Sequence, residues 1–246
     1  KLVGILNVTP DSFSDGGNYL EPQTAVEHAE RMLAAGAALV DMGAESTRPK
    51  ATALRPDEEW ARLEPVLKIL LARYPGKISL DSYHPQTVRR ALAMGPVLVN
   101  DVTGLNNPGM VAAVIDLKPT VIISHLPGAD IQAAHKLMPV GSVEQVKTDL
   151  LAKAAVLISQ GFKPEDIILD PGIGFGKTME VNRQLLQFAE QVRDFAVMIG
   201  YSRKRFLGEQ RMELAVNVEA GRVAVASGAH YLRVHDVRGH APLLES

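Results

Sequence analysis

Eight short apolar runs, each closing on polar residues, limit what this chain can fold into. They are "LVGILN" to Asn7, "AALVDMG" around Asp41, "KISLD" to Asp81 and "PVLVND" to Asn100 and Asp101. Then come "TVIISH" to His125, "DIILD" to Asp170, "FAVMIGYS" to Ser202 and "HYLRVHD" to Asp236. Amphipathic stretches of helical period lie between most of them, at 24–36, 57–74, 85–95 and 142–161, and several close on glycine. Near-continuous apolar strands alternating with helices predict a parallel sheet covered on both faces. Eight such units in 246 residues are what a (β/α)8 TIM barrel of the α/β class needs. A six-stranded doubly wound sheet would leave two runs unused. Residues 1–246 therefore read as one barrel domain. It opens inside an apolar stretch at Lys1 and stops within a helix at Ser246, as if trimmed at both ends.

A barrel brings the carboxyl ends of its strands to one mouth, whereas an open sheet spreads them along a crevice. The polar residues that end the runs would then face a common space, with charges of both signs. Asp81, Asn100 and Asp170 offer acceptors and an amide to a flat, donor-rich heterocycle. Arg48, Arg233 and His235 offer donors to a phosphate or diphosphate. Two turn-rich loops, 7–19 and 45–56, are suited to close over the mouth. In "GYSRKRF" (200–206), three cations follow a strand and open a helix, whose N-terminal amides attract anions.

Other chemistries find little support. A net charge of −2 gives no field for nucleic acid. No apolar run approaches the ~18 residues of a membrane span. Zero cysteines exclude thiol nucleophiles and Cys-ligated zinc, and fit a reducing, cytoplasmic setting. No His and carboxylate trio has zincin spacing, so a tightly held zinc is not expected, and no G-x-S-x-G elbow is present. "LDPGIGFGKT" (169–178) approaches a phosphate-binding P-loop, but Pro171 stands where its first glycine belongs.

Together, "GILNVTPDSFSDGG" (4–17), "GAESTRP" (43–49), "SLDS" (79–82), "VNDVTG" (99–104), "LDPGIGFGK" (169–177), "GYSRKRFLG" (200–208) and "RVHDV" (233–237) resemble the dihydropteroate synthases of folate biosynthesis. The resemblance runs end to end. It implies a homodimeric barrel transferase, the target of sulfonamides. The reaction would join 6-hydroxymethyl-7,8-dihydropterin diphosphate to p-aminobenzoate with Mg2+ assistance. Some relatives carry a fused pyrophosphokinase domain. Asp81, Asn100, Asp170, Lys204 and Phe175 would surround the pterin. Asn7, Thr47, Arg48, Arg233 and His235 would hold the diphosphate, with Asn7 touching Mg2+. Phe13, Thr47, Arg48, Pro49 and Ser202 would meet p-aminobenzoate, Ser202 close to a helix N-terminus. Asp81, Arg233, His235 and Lys204 would be catalytic, on an SN1-like route. Lys177 would be peripheral. Ser124 and Ala44 replace a methionine and a glycine usual in the family, and 208–233 is short for it. The alternatives are a methyltransferase drawing on methyltetrahydrofolate, which needs no diphosphate site, and a non-enzymatic scaffold.

Overall fold

The computed structural model describes residues 1–9, 22–45, 53–128, 130–134 and 136–244. Its strands are β1 Leu2–Asn7, β2 Ala37–Gly43, β3 Ile78–Asp81, β4 Leu98–Asp101, β5 Val121–Ser124, β6 Ile167–Asp170, β7 Ala196–Ile199 and β8 Tyr231–Val234. They pair in chain order as a closed barrel, all parallel. Closure sets Leu2 opposite Leu232 and Val3 opposite Arg233. The expected (β/α)8 architecture is the one that forms.

The helices are α1 Pro22–Ala34, α2 Pro56–Arg73, α3 Pro85–Met94, α4 Pro108–Leu117, the short α5 Ile131–Ala134, α6 Val143–Ser159, α7 Met179–Gln184, α8 Leu214–Ala226 and α9 Val237–His240. Proline opens α2, α3 and α4, where its missing N–H costs nothing. Ser142 caps α6 and Thr178 caps α7 by accepting from backbone amides three residues on. Buried stripes such as Val146, Leu150, Ala154 and Leu157 seat these helices on the barrel. Among the described residues no helix is long and apolar enough to cross a membrane.

One expected helix is absent. After β7 the chain makes only a three-residue 3-10 turn, Arg205–Leu207. Arg203 at φ 62° and Gly208 at φ 84° take left-handed backbone on either side of it, which an α-helix cannot continue. The next α-helix is α8.

Inside the barrel, Val3, Leu39, Ile122, Ile168 and Met198 form an apolar plug, with Leu98, Ala196 and Tyr231 packed against it. Alternate residues of a strand face the same way. Two positions beyond the plug, the same faces therefore carry Asp41 after Leu39, Asn100 after Leu98, Ser124 after Ile122, Asp170 after Ile168, and Arg233 after Tyr231. Asp81 joins this layer, paired in register with Asn100. The apolar plug closes the floor, and the next layer of side chains forms the floor of a polar mouth.

Candidate active site

Arg233 organises one side of the mouth. Its Nε donates to Asp41 Oδ2 at 2.6 Å and one terminal nitrogen to Asp81 Oδ2 at 2.8 Å. Asn100 Nδ2 donates to the same Asp41 oxygen at 2.9 Å. Burial works against the Arg233 charge, but Asp41 and Asp81 outweigh it and raise its pKa. Burial, with Asp41 adding to it, pushes the Asp81 carboxyl up to about 7 despite Arg233. Two acceptors in this hub, Asp41 Oδ1 and Asn100 Oδ1, are buried without a protein donor. Such atoms are rare in proteins and mark a place where a ligand can supply donors.

The facing side is built by the chain after β6. Asp170 Oδ1 accepts from the Gly172 amide at 2.7 Å. Burial raises the Asp170 carboxyl above its usual range, with Lys204 opposing. Burial likewise lowers the Lys204 ammonium to about 8, and Asp170 opposes that fall. Lys204 donates to the Ile173 carbonyl and sits 5.2 Å from the centre of the Phe175 ring, a cation–π approach. Gly200 lies at the meeting point. A Cβ there would stand 3.6 Å from Asp170 Oδ2, 3.8 Å from the Arg233 Cβ and 3.8 Å from Lys204 Nζ.

The glycines of "PGIGFGK" make the tight turn under this wall, with Gly172, Gly174 and Gly176 all at positive φ. Gly172 also passes so close to β5 that a Cβ would meet the His125 carbonyl at 2.0 Å. Lys177, expected to be peripheral, is buried. Its ammonium donates to the carbonyls of Gly172 at 2.8 Å, Phe175 at 3.0 Å and His125 at 3.2 Å. It ties the loop to itself and to β5 at the cost of a pKa pulled down to about 7 by burial. The isolated ammonium at the end of an apolar-flanked glycine run was visible in the sequence, but its three backbone partners were not.

Ser202 and His235 meet, Oγ to Nδ1, at 2.9 Å. Ser202 was expected near a helix N-terminus; the 3-10 turn that follows provides none, and its recorded partner is His235. Asn7 ends β1 with its side chain exposed at the rim. Asp101 and Asp236 have local work instead. Asp101 accepts from Thr103 and Leu105, and Asp236 caps α9. His125 is held by Asp149 at 3.1 Å. Phe13, Thr47, Arg48 and Pro49 lie outside the described residues. The structure thus brings Asp41, Asp81, Asn100, Asp170, Phe175, Lys204, Ser202, Arg233 and His235 to one mouth, and gives Asp41, a strand-end carboxylate without an assigned role, its place as the partner of Arg233 and Asn100. A separate group beside it, Glu45, Glu59 and His84, could hold a metal ion.

Three comparisons with known proteins agree with this arrangement. The profile of the pterin binding enzyme family matches residues 3–235. The chain is 40% identical over 260 residues to the dihydropteroate synthase of Neisseria meningitidis serogroup C, covering all of this chain and 91% of that protein. A structure of Xanthomonas albilineans dihydropteroate synthase with 4-aminobenzoic acid superposes with a TM-score of 0.88 at 38% identity, over 99% of this chain and 90% of that one. That of Yersinia pestis dihydropteroate synthase with a sulfonamide drug complex gives 0.88 at 32% identity, over 100% of this chain and 93% of that one.

Proposed function

The chain belongs to the pterin binding enzyme family, and we propose that it is a dihydropteroate synthase, condensing 6-hydroxymethyl-7,8-dihydropterin diphosphate with p-aminobenzoate. The observation that carries this most directly is the convergence around Gly200 of the Asp170 carboxylate, the Lys204 ammonium and the base of the Arg233 side chain, from three separate segments. A pterin is flat and carries several N–H donors. Asp170 and the donor-less Asn100 Oδ1 and Asp41 Oδ1 suit that edge, with Phe175 and the Lys204 stem as a wall. The N–H groups of Arg233 not spent on Asp41 and Asp81, with His235, suit the diphosphate.

Asn7 suits Mg2+. Its exposed amide oxygen is a hard donor, and Mg2+ keeps waters and takes other ligands from substrate phosphates. When bound, the ion supplies positive charge to the leaving diphosphate. An arylamine is a weak nucleophile, so departure of diphosphate leads, leaving a methylene cation delocalised into the pterin ring. Asp81 stabilises that cation and Arg233 stabilises the departing charge. Water must be kept out, a task assigned to the segments that carry Phe13 and Thr47–Arg48–Pro49. Ser202, oriented by His235, meets the p-aminobenzoate end, where a sulfonamide would compete. We assign the chain a homodimeric state on the family resemblance.

The test is turnover of the two substrates with detection of diphosphate and dihydropteroate. Asp81→Ala and Arg233→Ala should fold and lose most activity; full activity in either removes that residue's role. If p-aminobenzoate elicits no diphosphate while methyltetrahydrofolate donates its methyl group, the methyltransferase reading takes its place. A secondary deuterium isotope effect of unity at the methylene would remove the dissociative route.

A further inference from the structure

Beside the mouth, three elements deliver two carboxylates and an imidazole to one buried point. Glu45 follows β2, Glu59 lies in the first turns of α2, and His84 immediately precedes α3. One ligand atom from each lies within 4.8 Å of the others. The side chains of Glu45 and His84 are 8% and 15% exposed, and Glu59 is 1% exposed. Among the described residues, Glu45 pairs with His84, and Glu59 has no ion pair at all. Arg62, one turn further along α2 than Glu59, donates to the Ala44 carbonyl. Two buried carboxylates therefore share one imidazole, which leaves net negative charge in a poorly solvated place. Burial answers for part of this by raising the Glu59 carboxyl.

The surroundings are those of a held ligand set rather than of a bare acidic cluster. Glu45 Oε1 accepts from the Tyr83 hydroxyl, leaving Oε2 toward His84 Nε2 at 3.2 Å. Glu59 Oε2 accepts from Ser82 Oγ at 2.9 Å, and that hydroxyl is itself fixed by the His84 amide. Thr87, fully buried at the start of α3, lies with its hydroxyl against the Glu59 carboxylate.

We propose that Glu45, Glu59 and His84 form a site for one divalent transition-metal ion of the zinc class, separate from the ion that accompanies diphosphate. Mixed oxygen and nitrogen ligands favour zinc, cobalt or manganese over magnesium or calcium, which take oxygen alone. Bonds near 2.1 Å in a tetrahedron place ligand atoms roughly 3.4 Å apart. The Glu45–His84 spacing of 3.2 Å already meets this. The ion replaces the proton now shared between those two groups, so binding releases a proton and weakens at low pH. It joins the end of β2 to α2 and to the β3–α3 connection. In the sequence Glu45 stands two and three residues ahead of Thr47 and Arg48. The sequence conceals the site because its three ligands share no local spacing.

Titration of the full chain with Co2+ and with Zn2+ tests it. One equivalent should bind, with a visible Co2+ spectrum showing nitrogen ligation. His84→Ala and Glu59→Gln should each weaken binding at least a hundredfold, and Tyr83→Phe by about tenfold to a hundredfold. Arg233→Ala, in the mouth, should leave it unchanged. No stoichiometric binding, or binding that survives His84→Ala, overturns the proposal. Should a variant fail to fold, anomalous scattering from a Zn2+-soaked crystal of the unaltered chain decides. A peak between Glu45, Glu59 and His84 upholds the site and a peak only elsewhere removes it. Each readout is independent of turnover, so it stands or falls apart from the synthase assignment.

Discussion

Arg233 and Asp41 are 192 residues apart in the chain, yet Nε and Oδ2 meet at 2.6 Å. The contact spans β1, linking the last strand to the second across the seam where the barrel closes. Asp41 is fully buried and Arg233 is only 20% exposed. The pair is therefore costly to leave half-made: removing one member of a buried ion pair leaves the other as an uncompensated buried charge.

Arg233→Met should destabilise the chain by about 3 kcal/mol and abolish most turnover. Asp41→Asn should cost less, because Arg233 keeps Asp81 at 2.8 Å and the amide still fills the space. The check is a double-mutant cycle by denaturant unfolding. Additive losses would show that the two side chains do not support one another in the fold.

Asp81 should make stability fall as pH rises. Its carboxyl is raised from 3.8 to about 7, so across that window the unfolded chain releases a proton that the folded chain keeps. The folded state thus holds more protons, and unfolding free energy declines with pH until about 7, then levels. Asp170 and Glu59, also raised by burial, act in the same direction. Asp81→Asn should flatten part of this slope in melting temperature against pH. An unchanged slope would place the Asp81 titration outside this window.

Lys177→Met should loosen the glycine turn. Bonds from a charged donor contribute about 1.5–3 kcal/mol each in the least favourable case to lose, but the relieved burial of the ammonium offsets much of that. A net loss of about 2 kcal/mol is expected. Because the turn carries Phe175 and the Ile173 carbonyl that holds Lys204, KM for the pterin substrate should rise more than KM for p-aminobenzoate. Equal changes in both would assign Lys177 to folding alone.

These residues differ in how visible they were. The barrel was legible because eight short apolar runs alternate with helical stretches, and five strands repeat one rule, an apolar inward residue followed two positions on by a polar one, as in Leu98 and Asn100 or Ile168 and Asp170. The mouth followed from it. What stayed hidden depends on contacts between distant segments. Asp41 reads like any strand-end carboxylate until Arg233 and Asn100 are seen on it. Lys177 looks like a surface cation until three carbonyls surround it. The helix expected after Ser202 failed because Arg203 takes a left-handed turn, supported by its amide donating to Asn217 Oδ1 at 2.8 Å. Asn217 lies in α8, and nothing local in "YSRKRF" announces it.

Gly200→Ala separates packing of the site from packing of the fold. The backbone there does not need left-handed freedom, since Gly200 is not among the positive-φ glycines. Its nearest neighbours to a Cβ, at 3.6 to 3.8 Å, are at ordinary van der Waals distance. The methyl group should therefore be tolerated, with stability within roughly 0.5 kcal/mol of the unaltered chain. It would nevertheless occupy space bordered by Asp170, Arg233 and Lys204, where the proposed pterin must come close to the barrel floor. A rise in KM for the pterin diphosphate of about tenfold, equivalent to ~1.4 kcal/mol, is expected with little change for p-aminobenzoate. Thermal melting and steady-state kinetics on the same preparation check both halves. If the variant melts normally and binds the pterin substrate as before, the heterocycle does not lie against Gly200, and the pocket must be sought nearer the rim by Asn7 and Ser202.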